Sequence, residues 1–441
     1  MTGNHVNTTI TLFLIYGVPV AVIVVIYTVW TKLTSAKARR RINEAIHSGL
    51  SQPASLHPVI DPNKCLGCAT CVTACPEGDI LGLINRKAQL VAPASCIGHG
   101  ACKEACPVDA ISLVFGTESR GVDIPNVSPS FETNVPGLYI AGELGGMGLI
   151  KNAISQGVAA LNSLHEVHLG NVHGCKYDVV IVGAGPAGLS AALAAKEKKL
   201  KYVLLEQDTV GGTLAHYPRG KIVMTQPATL PIVGKFQFKE ASKESLIEFW
   251  QGAIKQSDLK IESGTRVDEI ESEDEGFSLI TNKHAVVSRT VLLALGRRGT
   301  PRTLGVPGEE HEKVVYRLVD AAQYRGKHVL VVGGGDSALE AALSLSEEAD
   351  TVVSLSYRSG AFSRAKQKNR DRIDQAEKDD RLNVYLTSTV NHITPSEVSL
   401  ETQSGPHVIS NDFVIVCAGG ILPTAFLKKS GIEIETKFGT A

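Results

Sequence analysis

Seven of the nine cysteines in this 441-residue chain fall into two runs spaced 31 residues apart. The first reads Cys65-x2-Cys68-x2-Cys71-x3-Cys75-Pro76, and the second Cys96-x2-His99-x2-Cys102-x3-Cys106-Pro107. Thiolates at this spacing, each run closed by a proline, form the bacterial pattern for iron–sulfur clusters, in which the fourth cysteine of a run ligates the other cluster. The chemistry implied is one-electron transfer. Structural zinc is the alternative occupant. His99 breaks the pattern, because it stands where the second cysteine of its run belongs. It is a fourth ligand, or its site holds three irons, or it is a bystander on a loop. An imidazole is neutral where a thiolate is anionic, so either of the first two cases raises the potential above that of an all-cysteine cluster.

Two further stretches are built to hold pyrophosphates. An apolar strand, Asp178–Val182, turns through Gly183-x-Gly185-Pro186-Ala187-Gly188 into an Ala-rich helix, and a second apolar strand ends on Glu206. The first glycine allows the tight turn, the second the approach of a pyrophosphate, and the third helix-on-strand packing; the acid takes a ribose hydroxyl. The second stretch runs His328–Val332 and then Gly333-Gly-Gly335-Asp336-Ser337-Ala338, again strand, glycine turn and helix. Its following strand, Thr351–Leu355, leads into Ser356-Tyr357-Arg358 and not to an acid. Arg358 and Arg364, with Lys366 and Lys368 beyond, suit a 2′-phosphate and so NADPH over NADH. A solvated basic face is the competing reading.

Around these sites the chain has room for about three domains. Its formal net charge is −1 and no long basic run is interleaved with aromatics, which argues against a nucleic-acid partner. Residues Ile10–Trp30 carry no charge over 21 positions, and Lys32, Lys37, Arg39, Arg40 and Arg41 follow while no Lys or Arg precedes. Length and charge bias together predict a single transmembrane helix within 1–32, with the rest of the chain in the cytoplasm. A cleaved signal peptide would want positive charge before the apolar run. Residues 33–56 read as a basic linker.

The cysteine repeat resembles a two-cluster bacterial ferredoxin domain over residues 57–115. That resemblance implies one cluster on Cys65, Cys68, Cys71 and Cys106, and another on Cys96, Cys102 and Cys75 with His99 at its open position. Most of the remaining chain resembles the thioredoxin-reductase-like flavoproteins, and their bacillithiol-disulfide-reductase branch in particular. The segment Phe131-Glu-Thr-Asn-Val-Pro136-Gly-Leu-Tyr-Ile-Ala-Gly142-Glu143 is similar to the closing strand of their flavin domain, whose acid binds the ribityl chain of FAD. Here that acid is Glu143, one methylene longer than the usual Asp, and the helix that follows is expected at Leu149–Leu164. Gly211-Gly212-Thr213 matches the loop that approaches the isoalloxazine ring in that family. The closing segment precedes the glycine-rich strand instead of ending the chain, so the resemblance implies a circular permutation. The expected segments are 116–165 (closing part of the FAD domain), 176–298 (FAD domain), 299–410 (NAD(P)H domain) and 411–441 (return to the FAD domain).

The expected fold class is thus α/β, with two doubly wound dinucleotide-binding domains, a small α+β ferredoxin domain and one N-terminal transmembrane helix. The relatives pass electrons to a cysteine pair beside the flavin, but neither Gly211–Tyr217 nor Tyr316–Gly326 carries one. Cys175 and Cys417 stand alone in or beside apolar strands. The expected activity is therefore electron transfer among NAD(P)H, FAD, two iron–sulfur clusters and an outside redox partner, such as a cytochrome, a quinone-linked subunit or a soluble carrier. No side chain is assigned as general acid or base. A disulfide reductase, and reverse flow that reduces NADP, are the alternatives; a homodimer is compatible with either. The expected location is the inner, cytoplasmic membrane.

Overall fold

The uncharged N-terminal run forms a helix, α1 (Val18–His47), in a computed structural model that describes residues 13–439 apart from 49, 54–55, 97, 119–120, 146–148, 169–174, 297–298 and 364. The helical stretch Ile15–His47 is long and apolar enough to cross a bilayer. Its first half is bare of protein contacts, with Ile23 and Ile26 more than half exposed. The hydroxyls of Thr28 and Thr31 donate back to Val25 O and Thr28 O, each at 2.9 Å, which hides their polarity against the backbone.

The helix does not end where the basic residues begin. Residues 36–46 are rich in Ala, Lys, Arg and Glu, all strong helix formers, and no Gly or Pro interrupts them. The stretch expected as a linker is therefore helical as far as His47.

The chain divides into two compact units, one reaching to Phe115 and one spanning Gly116–Gly439. In the first, strand β1 (His57–Ile60), hairpin β2 (Leu81–Ile84) and β3 (Lys87–Leu90), and strand β4 (Ile111–Val114) surround two one-turn helices, Thr70–Thr73 and Ala101–Glu104. The two halves of the cysteine repeat interlock, since β1 before the first run pairs antiparallel with β4 after the second. The α1 helix lies on the hairpin. Ala38 is buried with Ile84 and Val91, and a Cβ added at Gly82 would stand 3.0 Å from that of Ala38. Arg39 donates to Asn85 Oδ1 at 2.8 Å, and Arg41 both pairs with the Asp79 carboxylate at 2.5 Å and donates to its carbonyl.

The second unit is organised around two larger sheets, of seven and five strands. Its elements begin with β5 (Val122–Pro125), β6 (Leu138–Ile140), α2 (Ile150–His168), β7 (Tyr177–Val182), α3 (Pro186–Glu197) and β8 (Tyr202–Glu206). They continue with β9 (Ile261–Ser263), β10 (Val267–Glu273), β11 (Gly276–Thr281) and β12 (Ala285–Leu293). The first sheet runs β9-β8-β7-β12-β11-β10, and β6 also pairs with β12. Val180 and Leu138 flank Val291 in parallel register, so a strand from before the glycine turn is built into the glycine-turn sheet. The inner strands are unbroken apolar runs, as suits strands covered on both faces.

Helices α2 and α3 cross at small residues. A Cβ on Gly157 would lie 2.1 Å from Ala187 O, and Ser190 Oγ donates to Ile154 O at 3.0 Å.

The second sheet places β13 (His328–Val332), followed by α4 (Asp336–Ser346), between β14 (Val352–Tyr357) and β16 (Phe413–Val416), with β15 (Asn383–Leu386) beyond β14. Its ladders are all parallel, including the edge pairing of Val314–Val315 with β16. Both sheets have the strand, glycine turn and helix order that the sequence predicts. At the chain's end, β17 (Ile434–Lys437) pairs antiparallel with β5. Asn134 also donates to Gly431 O and accepts from Glu433 N. Ala441 lies outside the described residues.

Candidate functional site

The glycine turn after β7 opens into a cavity of about 650 Å³, within the range of ligand pockets. Gly183 takes φ +104°, which a side chain would resist, and a Cβ on Gly188 would meet Gly183 O at 1.9 Å. The helix can therefore start directly under the turn only with glycine at both places. Gly183, Gly185, Pro186 and Ala187 line the cavity, while Gly188 lies behind them in the packing.

Gly212 and Thr213 line it from the facing loop, and a Cβ on Gly212 would touch Gly185 Cα at 3.0 Å. Gly211 holds that loop down through its N–H, which donates to Ala184 O at 2.8 Å.

Glu206 ends β8 at the cavity wall and is buried. Its Oε2 accepts from Ala184 N at 2.7 Å and its Oε1 from Asp208 N at 2.9 Å, so the carboxylate is fixed in place before any ligand arrives.

The segment that precedes β7 contributes the opposite wall. Gly142 and Glu143 line the cavity, with Leu149, Ile150 and Ala153 from the start of α2. Gly142 N donates to Gln156 Oε1 at 2.9 Å, which ties the turn to the helix. The N-terminal end of α2 thus borders the cavity, and a helix N-terminus favours an anionic or carbonyl group. An elongated dinucleotide fits this arrangement of glycine cradle, buried acid and facing loop.

Several lining residues carried no sequence signal. Asp208, His216 and Tyr217 border the cavity. His216 Nε2 lies 3.4 Å from Asp208 Oδ2, and Arg317 reaches both residues from the segment before β13. No spacing rule links these positions.

The second glycine turn is built alike. Gly333 has φ +149° and a Cβ there would meet Cys417 O at 2.4 Å; Ala338 is buried beneath it. Gly335 caps α4, whose first residues are Asp336 and the exposed Ser337. Asp336 Oδ1 accepts from Lys366 N at 2.8 Å and from Asn369 Nδ2 at 2.7 Å. The Tyr357 ring covers Gly334 and stacks on Phe362. Arg358, directly after β14, is exposed. Arg364 lies outside the described residues.

The cysteines sort into two sets. Cys65, Cys68, Cys71 and Cys106 line one apolar recess with Ile60 and Val108. Cys75 and Cys96 share a small buried cluster with Ile80, and Cys102, which packs with Cys65 and Cys71, interacts electrostatically with both Cys75 and Cys96. The fourth cysteine of each run therefore crosses to the other set. Burial, with Cys65, Cys102 and Cys68 nearby, pushes the Cys71 thiol up to about 11. Burial together with Cys96 and Cys75 does the same to Cys102. Such thiols are protonated at neutral pH, so ligation requires an electrophile strong enough to displace their protons, as iron is.

His99 Nε2 lies 3.9 Å from Cys75 Sγ, while its Nδ1 is buried without a hydrogen-bond partner. Burial lowers its pKa, which favours the neutral ring. The two remaining cysteines sit elsewhere: Cys175 donates to Glu275 O, and Cys417 adjoins the second glycine turn.

Comparison with known proteins agrees with both units. A family described as pyridine nucleotide-disulphide oxidoreductase matches residues 180–440, and a 4Fe-4S dicluster domain matches residues 57–107. A ferredoxin–NADP reductase of Levilactobacillus brevis is 32% identical over 188 residues, which are 41% of this chain and 54% of that protein. The chain spans about half the length of the Levilactobacillus and Streptococcus ferredoxin–NADP reductases it matches, and 78% of that of Acholeplasma laidlawii. Bacilliredoxin reductase Bdr of Bacillus subtilis is 26% identical over 267 residues, covering 59% of this chain and 82% of the relative. The structure of bacillithiol disulfide reductase Bdr from Staphylococcus aureus superimposes with a TM-score of 0.54 at 25% identity, over 59% of this chain and 82% of its own.

Proposed function

The chain belongs to the pyridine nucleotide-disulphide oxidoreductase family, and within it we propose a circularly permuted flavoprotein that moves electrons between NADPH and a one-electron partner through two iron–sulfur clusters. The observation that carries this reading is the make-up of the flavin cavity. Among the described residues its lining holds the dinucleotide cradle and no cysteine, and Cys175 and Cys417 lie elsewhere. Among those residues no thiol pair lines the cavity, while a cluster domain is present in the same chain. The curated relatives named ferredoxin–NADP reductase support the pairing of this flavin domain with a ferredoxin, here carried in cis.

The permuted order is supported by β6 pairing with β12 and by Asn134 bridging to Gly431 and Glu433. The segments 116–165 and 411–441 then complete the FAD domain of 176–298, with 299–410 binding the nicotinamide nucleotide.

FAD accepts electrons as a pair and releases them singly, which is the conversion a nicotinamide donor and iron–sulfur carriers need. The chain's own part is placement. Gly183, Gly185 and the α3 N-terminus receive the pyrophosphate, Glu206 a ribose, and Glu143 with the α2 N-terminus the ribityl and flavin end. Gly333, Gly335 and Asp336–Ala338 cradle the nicotinamide nucleotide, and Arg358 with Arg364 takes its 2′-phosphate. Cys65, Cys68, Cys71 and Cys106 hold one four-iron cluster, and Cys75, Cys96 and Cys102 hold the second. The apolar half of α1 anchors the protein by a single pass in the cytoplasmic membrane, with Lys37 and Arg39–Arg41 on the inner side.

Reverse flow, reducing NADP from a low-potential donor, is the second reading and is favoured by the relatives' name. The test is an anaerobic NADPH titration of the purified protein, followed at the flavin absorbance and at the cluster paramagnetic signals. Bleaching of the flavin together with reduction of at least one cluster is expected. A flavin that bleaches fully while both clusters stay oxidised, with disulfides reduced in turnover, would overturn the scheme.

A further inference from the structure

We propose that His99 is a ligand of the second cluster, which is thereby a four-iron centre with three thiolates and one imidazole. This rests on the cluster reading above and adds the identity of the fourth ligand. Three observations converge. First, His99 occupies the ligand position in its run. Second, the loop turns it inward: Gly98 at φ +75° and Gly100 at φ +83° flank it, and a Cβ on Gly98 would meet Leu56 O at 2.5 Å. The backbone is thus pressed against Leu56 on one side and the ring lies on the cysteine side. Third, one ring nitrogen, Nε2, lies 3.9 Å from Cys75 Sγ, and the other is buried with no protein partner. A buried bystander histidine ordinarily keeps a hydrogen bond to protein at each ring nitrogen. This ring keeps none at Nδ1, and its other nitrogen faces a thiol of the set.

A three-iron centre would leave the ring with nothing to bind. A neutral nitrogen in place of an anionic sulfur makes the centre less negative, so the second cluster holds its electron more firmly than the first. Electrons entering the ferredoxin unit would collect there before leaving through the other cluster.

The experiment uses the full-length protein, solubilised in detergent and reconstituted with iron and sulfide without oxygen, as wild type, His99→Cys and His99→Leu. Partial reduction isolates the higher-potential cluster. Pulsed paramagnetic resonance should then show a strongly coupled nitrogen in the wild type and none in either variant. His99→Cys should retain two four-iron centres, with one midpoint potential lowered and the other unmoved. His99→Leu should give the signal of a three-iron centre. A wild-type protein without coupled nitrogen, or with an oxidised three-iron signal that His99→Cys converts to a four-iron one, overturns the assignment. Iron and sulfide analysis separates that outcome from failure of the cluster reading itself, which would leave zinc or no metal in all three proteins.

Discussion

Gly157 in α2 and Ala187 in α3 meet backbone to backbone, so closely that a Cβ on the glycine would stand 2.1 Å from the alanine carbonyl oxygen. The contact joins the segment before the glycine-rich strand to the helix that follows it. Gly157→Val should force the helices apart and lower stability by about 3 kcal/mol or more. It should also release FAD, because Leu149 and Ile150 at the head of α2 line the cavity. Gly252, exposed on another helix with nothing within 4 Å of its Cβ position, is the matching control. Gly252→Ala should stabilise by up to about 1 kcal/mol. Thermal unfolding with flavin fluorescence reads both, and equal melting temperatures for the two variants would refute the packing argument.

Glu206 is fixed by two backbone N–H donors. Glu206→Gln keeps the shape but loses the charge that strengthens those bonds and any bond to a ribose hydroxyl. Each charge-assisted bond contributes about 1.5–3 kcal/mol, so FAD should bind roughly ten- to a hundredfold more weakly. Equilibrium dialysis against free FAD measures this, and unchanged affinity would remove the acid from the site.

Arg358 stands directly after β14, beside the second glycine turn. Arg358→Glu removes a charge-assisted contact to the 2′-phosphate and adds repulsion. The KM for NADPH should rise on the order of tenfold or more, with kcat and the KM for NADH nearly unchanged. A parallel loss with both nucleotides would mean that the arginine does not read the 2′-phosphate.

The docking of α1 separates two truncations that a flexible linker would make equivalent. Removing residues 1–32 leaves Ala38, Arg39 and Arg41 on the hairpin and should yield a soluble, stable protein. Removing 1–48 bares Ile84 and Val91 and should lower the stability of the ferredoxin unit by roughly 2 kcal/mol, from lost apolar burial. Limited proteolysis and iron retention compare the two, and indistinguishable products would show that the helix contact carries no weight.

What could be read in the residues follows how local each signal is. Cys65–Cys75 and Gly183–Gly188 are short motifs in which spacing and chemistry are inseparable, so the dicluster domain and the glycine turns were both legible. The sheet position of β6 was legible because Pro136–Glu143 carries a family pattern. The Asp208–His216–Arg317 group was not, since its members come from distant segments and no periodicity connects them. The Tyr357 ring over Gly334 is hidden for the same reason. The extent of α1 was misjudged for another reason. Polarity and positive charge suggested a linker, whereas the helix propensity of Ala, Arg, Lys and Glu carried the better information.

On the proposed anchoring, that helix would set how far the clusters can wander. A coil of 24 residues would let them roam on the order of 25–30 Å from the bilayer. Docked at Ala38, eight residues past Trp30, the ferredoxin unit begins roughly 12 Å along the axis from the apolar end. With α1 in a bilayer, as proposed, the clusters would travel in one layer parallel to it, and their encounters with a partner in the same membrane would become a two-dimensional search. Lateral diffusion and surface density, more than bulk concentration, would then set the rate at which electrons leave.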